Sequence, residues 1–268
     1  MDIPIPGDSV NEPPASSPDF QPAAPATGSI ALRLPSAPPR VTYAILGLTI
    51  FVYLLQMASQ FIFGYDLPIA LGAKSGDWIR QGEIWRLITP ILLHGSILHI
   101  GFNMYALFSF GTGLERRFGH FRFLALYLLA GFSGNVLSFL FTSGLSVGSS
   151  TSIFGLIAAE GIFLYQNRKL FGEESKRAMG NVISVAAINL FIGFSSGGLI
   201  DNWGHIGGLL GGLVFAWFAG PLWEVERLYP LLRLVDRREG RDVVLGASAA
   251  LIIFGGLAML GMASVIVP

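Results

Sequence analysis

Cysteine is absent from this 268-residue chain. Its absence removes disulfides, thiolate metal sites and a cysteine nucleophile together. Charge is also scarce: 13% of residues are charged, where a soluble domain carries about 25%. Basic and acidic residues balance at 17 each, so the chain carries no basic signature for nucleic acid. Histidine is limited to His94, His99, His120 and His205, with no HExxH pair, which argues against a zinc protease. Neither a metal nor a cofactor is expected.

Apolar residues fill the space that charge leaves. They make up 52% of the chain, with a mean hydropathy of +0.61. An all-α polytopic membrane protein is expected, because only helices or closed barrels satisfy their backbone inside lipid. Residues 1–40 are the exception. They hold ten of the fifteen prolines and no basic residue before Arg33. That composition cannot bury a core, and it lacks the pattern of a signal or transit peptide. It is expected to be a disordered cytoplasmic tail.

Seven apolar segments follow, at 41–63, 94–114, 121–143, 150–166, 178–195, 203–220 and 243–266. A helix needs about 20 residues to cross the hydrocarbon core. Lys and Arg set the orientation. Fourteen of the seventeen fall in the tail and in the loops after spans 2, 4 and 6, the last being the basic stretch 221–242. Only Lys74, Arg80 and Arg86 lie on the opposite side, all in the first loop. The positive-inside rule then places the N-terminus in the cytoplasm. Spans 2, 4 and 6 all begin at the outer face and run inward.

Unusual residues gather at the starts of those three spans. Span 2 carries His99 and Asn103 four residues apart, on one helix face. Span 4 opens with Ser149, Ser150, Thr151 and Ser152; span 6 places His205 within its first turn. Membrane Ser and Thr commonly bond their own backbone. An intramembrane histidine marks a functional site by default. Chance would scatter such groups over both leaflets. Gly204, Gly208 and Gly212 form a small-residue stripe on span 6, and Thr151, Gly155 and Ala159 form one on span 4. Such stripes let membrane helices approach closely. Facing each other, they bring Ser150 and His205 to matching depth.

A serine needs a general base, and neutral imidazole is the usual one. No carboxylate stands where it would complete a triad. Asp201, four residues before His205, is expected at the outer rim without a catalytic role. A Ser150–His205 dyad is the sharper expectation. Backbone N–H groups at the start of span 4, with His99 and Asn103, are candidate oxyanion donors. Phe154, one turn after Ser150, is placed to pack on the His205 ring. Glu160 lies about 15 Å further along the helix, too far to assist the serine, and has no evident partner. Span 4 rises only about 25 Å, short of the core's roughly 30 Å. The uncharged "TSGLSVGSS" before the helix is expected to dip into a wet cavity.

These residues resemble the rhomboid intramembrane serine proteases. "GSSTSIFGL" looks like the GxSx fourth helix of that family, "HIGFN" like its HxxxN motif, and "GHIGGLLGG" like its sixth helix. "EIWRLITPILLH" resembles the family's first-loop Trp-Arg motif, and "LERRFG" the short loop after its second helix. The five stand in family order over about residues 41–220. The resemblance implies a rhomboid-like six-helix catalytic core over 41–220 plus one C-terminal transmembrane helix, 243–268. It makes Ser150 the nucleophile, His205 its base, and His99 and Asn103 the oxyanion-stabilising pair. It places Gly148 and Ser149 beside the nucleophile in the oxyanion and substrate-binding region. Phe154 becomes an aromatic stacked on the histidine, and Trp85 and Arg86 brace the first loop. Thr151 departs from the family's common GxSG. The implied partners are a transmembrane protein substrate and the bilayer, with oligomeric state left open. The expected setting is a bacterial plasma membrane, with the site open to the extracytoplasmic side. A proteolytically inactive rhomboid-like chaperone or trafficking adaptor is the competing expectation. A solute transporter would need internal repeats and mid-membrane charges, and only Glu160 fits.

Overall fold

The structure is a computed structural model describing residues 36–228 and 231–264. All but the last few residues of the Pro-rich segment 1–40 lie outside the described residues. The protein is a helical, multi-pass membrane bundle. In chain order it comprises α1 (Arg40–Phe63), α2 (Leu67–Gly72), α3 (Gly76–Arg80), α4 (Ile97–Ala106), α5 (Thr112–Phe118), α6 (His120–Phe141), α7 (Ser150–Gln166), α8 (Arg168–Phe171), α9 (Glu173–Ser195), α10 (Asn202–Ala219) and α11 (Gly240–Ala263). A π turn, Leu107–Gly111, joins α4 to α5 in one 22-residue helix. Among the described residues five helices are long and apolar enough to span a membrane: α1, α4 with α5, α6, α9 and α11. The expected fourth and sixth spans, α7 and α10, are shorter; α7 is enclosed over most of its length, and α10 buries the glycine-rich face that meets α6 and α7 while Leu210 and Trp217 stay exposed.

Why α7 and α10 can be short is visible in their surroundings. From Thr151 to Ala159 every residue of α7 is buried, so protein rather than lipid surrounds that stretch. The outer helices show the reverse. On α1, Thr42, Thr49, Gln56 and Ser59 are buried at helical spacing while Phe51, Leu54 and Phe61 are exposed. Polar groups face the bundle and apolar groups face lipid, as a hydrocarbon solvent requires. On α9 only Ser175 and Gly193 are buried, and its apolar face is open.

The centre is a three-helix contact of α6, α7 and α10. Gly208 of α10 lies against the backbone of Thr151, and Gly212 against the backbone of Gly155. Gly207 and Gly211 turn the other way, onto Ser133 and Gly134 of α6. Two stripes on one helix thus serve two neighbours. Gly155 in turn abuts the Ala130 Cβ. Dispersion at such close range replaces the hydrophobic effect, which is absent between helices in lipid.

The stretch 221–242 departs from the expected loop. Trp223–Leu228 (β1) and Leu231–Asp236 (β2) pair antiparallel. Asn167 anchors the hairpin by donating to Pro221 O at 2.9 Å and accepting from Trp223 N–H at 2.8 Å. Asp236 accepts from Arg122 and from Leu222 N–H at 3.0 Å. A capping box of Glu239 and Asp242 then starts α11 at Gly240, three residues before the expected span. The helix packs on α6 through Gly261, which sits against Phe139 and Leu140.

Glu160 has the partner that the sequence did not name. Arg117 of α5 grips it with two N–H groups, one at 2.9 Å, and stacks over Phe163 at 4.7 Å.

The close approach of α7 and α10 makes a direct prediction. Gly208→Val places side-chain carbons where the Thr151 backbone stands. Overpacking of this kind costs about 1–3 kcal/mol or more. Unfolding of the detergent-purified protein is expected to shift by that amount, while Gly255→Ala, whose Cβ would meet open space within α11, does not destabilise it.

Candidate active site

Gly148 ends the loop that precedes α7, and its backbone has a φ of +131°, a region that disfavours side chains. A Cβ there would also stand 2.8 Å from the His99 ring. Glycine is thus required twice, by conformation and by space. The Gly148 N–H donates to Pro90 O at 2.9 Å. Ser149 follows as the N-cap without a side-chain cap bond. Ile153 N–H bonds Ser149 O at 3.0 Å and is the first amide of this turn with a backbone partner. The N–H groups of Ser150, Thr151 and Ser152 have no partner among the described residues. A helix start always leaves such donors, and here they surround the candidate nucleophile.

Ser150 is the first residue of α7, and its Oγ lies 2.9 Å from His205 Nε2 on α10. His205 is buried, and its ring stacks on Phe154 with centroids 4.2 Å apart and planes within 11°. His205 Nδ1 has no protein partner among the described residues. The arrangement is therefore a pair without a carboxylate behind the imidazole. Phe154 holds the ring by its face instead, leaving Nε2 aimed at the hydroxyl.

His99 lies over Gly148, and Asn103 is buried one turn further along α4 on the same face. The side chain of Ser96 caps α4 by accepting from His99 N–H at 3.2 Å. Trp85 and Arg86 stand away from the pair, in the first loop. Trp85 Nε1 donates to Leu71 O at 3.0 Å. Arg86 is buried and donates to Ala70 O and Ala73 O at 2.8 Å each. Those carbonyls lie at the C-terminal end of α2, where a cation is favourable. Both residues build the loop rather than face the serine.

Three residues near the site were not assigned these places from sequence. His94 is buried, with Nε2 3.4 Å from Ser149 Oγ and its ring edge-on to His99 at 5.1 Å. Gln56 fixes the His94 backbone with bonds of 3.0 and 3.1 Å. Only the rarity of membrane histidine signalled it. Asp201 is not an idle rim residue: it caps α10 and accepts hydroxyls from α6 and the loop before α7. An Asp just ahead of a glycine-rich helix was a legible N-cap signal. Ser152, expected to bond locally, is buried against Gly131 of α6 and has no hydrogen-bond partner among the described residues.

Thr151 explains its own departure from the common glycine. A Cβ on Gly134 would stand 2.6 Å from Thr151 Cβ, and one on Gly204 would stand 3.1 Å from Thr151 Cγ2. Bulk on α7 is matched by its absence on α6 and α10.

Fold and site together define a polytopic helical membrane protein in which a serine and a histidine from two interior helices meet near one end of the bundle. Comparison with known proteins narrows this class. The Rhomboid domain model matches residues 81–222. Rhomboid protease GluP of Bacillus subtilis (strain 168) is 43% identical over 179 residues, 66% of this chain and 34% of that protein. RHOMBOID-like protein 9, chloroplastic, of Arabidopsis thaliana is 36% identical over 60% of this chain and 37% of its own length. Rhomboid-like protease 1 of Toxoplasma gondii is 36% identical over 66% of this chain and 68% of its own. The chain belongs to the rhomboid family, and it matches about a third of the length of the first two relatives.

Gly148→Ala is expected to strain the backbone and push His99 aside together. A residue forced into such a region costs about 1–3 kcal/mol. The unfolding free energy of the detergent-purified protein should fall by about that amount.

Proposed function

We propose that this protein is an intramembrane serine endopeptidase, cutting a substrate transmembrane helix near its outer end. The observation that carries the proposal is the 2.9 Å approach of His205 Nε2 to Ser150 Oγ. The match to named rhomboid proteases supports it.

In this reading His205 takes the Ser150 proton as Oγ attacks the scissile carbonyl. A tetrahedral intermediate forms with negative charge on the former carbonyl oxygen. The unpartnered N–H groups at the start of α7 and the side chains of His99 and Asn103 receive that charge. The Gly148 amide does not contribute, being held by Pro90 O. His205 then protonates the leaving amine, and the C–N bond breaks to give a Ser150 acyl-enzyme. Water, deprotonated by His205, attacks the ester and frees Ser150. Phe154 keeps the imidazole oriented while its charge changes. Exposing a helical peptide bond sacrifices backbone hydrogen bonds, so helix-weakening residues in the substrate should favour cleavage.

The basic residues after α5, α7 and β2 support a cytoplasmic placement of that end of the bundle. The site then opens to the extracytoplasmic side of a bacterial plasma membrane.

Purified wild type is expected to cleave a model transmembrane substrate, and Ser150→Ala and His205→Ala to lose cleavage. Product from the Ser150→Ala protein would overturn the mechanism. His99→Ala and Asn103→Ala each remove one oxyanion donor, for which losses of about 100- to 1,000-fold in kcat are typical. Wild-type kcat in both would remove them from the oxyanion site.

A further inference from the structure

Besides the Pro90 carbonyl on Gly148 N–H, two residues hold the loop that delivers Ser150. From the first loop, Lys74 exchanges both backbone bonds with Ser146, at 2.9 and 3.1 Å. Its ammonium also donates to Thr142 O at 2.8 Å and Gly144 O at 2.6 Å. From the opposite side comes Asp201. One carboxylate oxygen accepts from Thr142 Oγ1 and Gly204 N–H, each at 2.9 Å. The other accepts from Ser146 Oγ at 2.6 Å and from Ser138 Oγ. The backbone of Asp201 is engaged too, accepting from His205 N–H at 3.1 Å. One residue thus joins the end of α6, the loop before Ser150 and the first turn of α10.

We propose that Asp201 is a positioning residue for the dyad, clamping the loop that carries Ser150 to the helix start that carries His205. The inference rests on the protease reading. Asp201 is not a displaced triad member. Both its oxygens are occupied, and His205 Nδ1 has no protein partner among the described residues. It acts through the loop and the helix.

The charge matters as well as the shape. Hydrogen bonds to an ionised acceptor are roughly twice as strong as neutral ones. Burial alone would raise the Asp201 carboxyl, but hydrogen bonds from Ser138, Ser146, Gly204 and Thr142 outweigh it and hold the group below the usual carboxylate range. Lys74 is the nearby cation, its ammonium pushed down by burial and supported by the Asp201 charge. Asparagine at 201 keeps the helix cap and one acceptor oxygen while losing the charge. Alanine loses cap and clamp together.

The test uses the full chain in detergent micelles and the rate constant for phosphonylation by a fluorophosphonate, expressed per folded molecule. Asp201→Ala is expected to label at least tenfold more slowly, with Asp201→Asn recovering part of the loss. For a transmembrane substrate, Asp201→Ala should lower kcat and leave KM unchanged. Ser146→Ala should be slowed less, and adding it to Asp201→Ala should cause no further loss, because both remove one clamp. Amide hydrogen exchange at Ser146 and Gly148 should accelerate in Asp201→Ala. Wild-type labelling in Asp201→Ala, or losses that simply add in the double variant, would overturn the proposal. If wild type neither labels nor cleaves, the protease reading fails on its own. Exchange then decides the clamp: acceleration supports it and unchanged exchange overturns it.

Discussion

Everything at this site depends on how closely two backbones can approach. Gly208 and Gly212 of α10 rest on the main chain of α7 at Thr151 and Gly155, with no side chain between them. A hydroxyl and an imidazole are short reaches from their own helices. At this separation Oγ and Nε2 come within 2.9 Å while each residue stays in its helix. The glycines therefore act on the Ser150–His205 pair through distance. The second stripe, Gly207 and Gly211, seats α10 on α6 and keeps the helix from rotating the histidine away.

Polar groups at the same end of the bundle complete the geometry. Arg86 closes the end of α2, Gln56 holds His94 under Ser149, and Lys74 and Asp201 grip the loop between α6 and α7 from two sides. In lipid each of these groups would be costly alone. Satisfied by one another, they hold irregular backbone in place next to amides that α7 leaves unpaired. Thr151 shows the same economy of space: its extra volume fits because Gly134 and Gly204 have none.

Much of this was legible in the sequence because membrane solvent imposes simple rules. Apolar length located the spans to within a few residues, and for α7 the limits 150–166 coincide with the helix. The glycine periods indicated which helices touch. Other features depend on pairings that no local pattern encodes. Arg117 and Glu160 are 43 residues apart, and Asp201 meets Ser146 across 55. His94 sits in non-helical chain, where the 3.6-residue period has no meaning. The hairpin is different. "WEVERL" and "LLRLVD" flank a Tyr-Pro pair, and "WEVER" alternates apolar and charged residues as a strand does, but the density of arginine drew the reading toward a loop.

One oxygen atom among four hydroxyls carries the proposed chemistry. Ser149 stands 3.4 Å from His94, Thr151 faces glycines, and Ser152 is sealed against α6, while Ser150 alone of the four lies within 2.9 Å of an imidazole nitrogen. The most direct measurement is to react the purified protein with a fluorophosphonate and locate the adduct by peptide mass spectrometry. A single phosphonyl group on Ser150 is the predicted result. An adduct on Ser149, Thr151 or Ser152, or one that persists at full yield in His205→Ala, would contradict it.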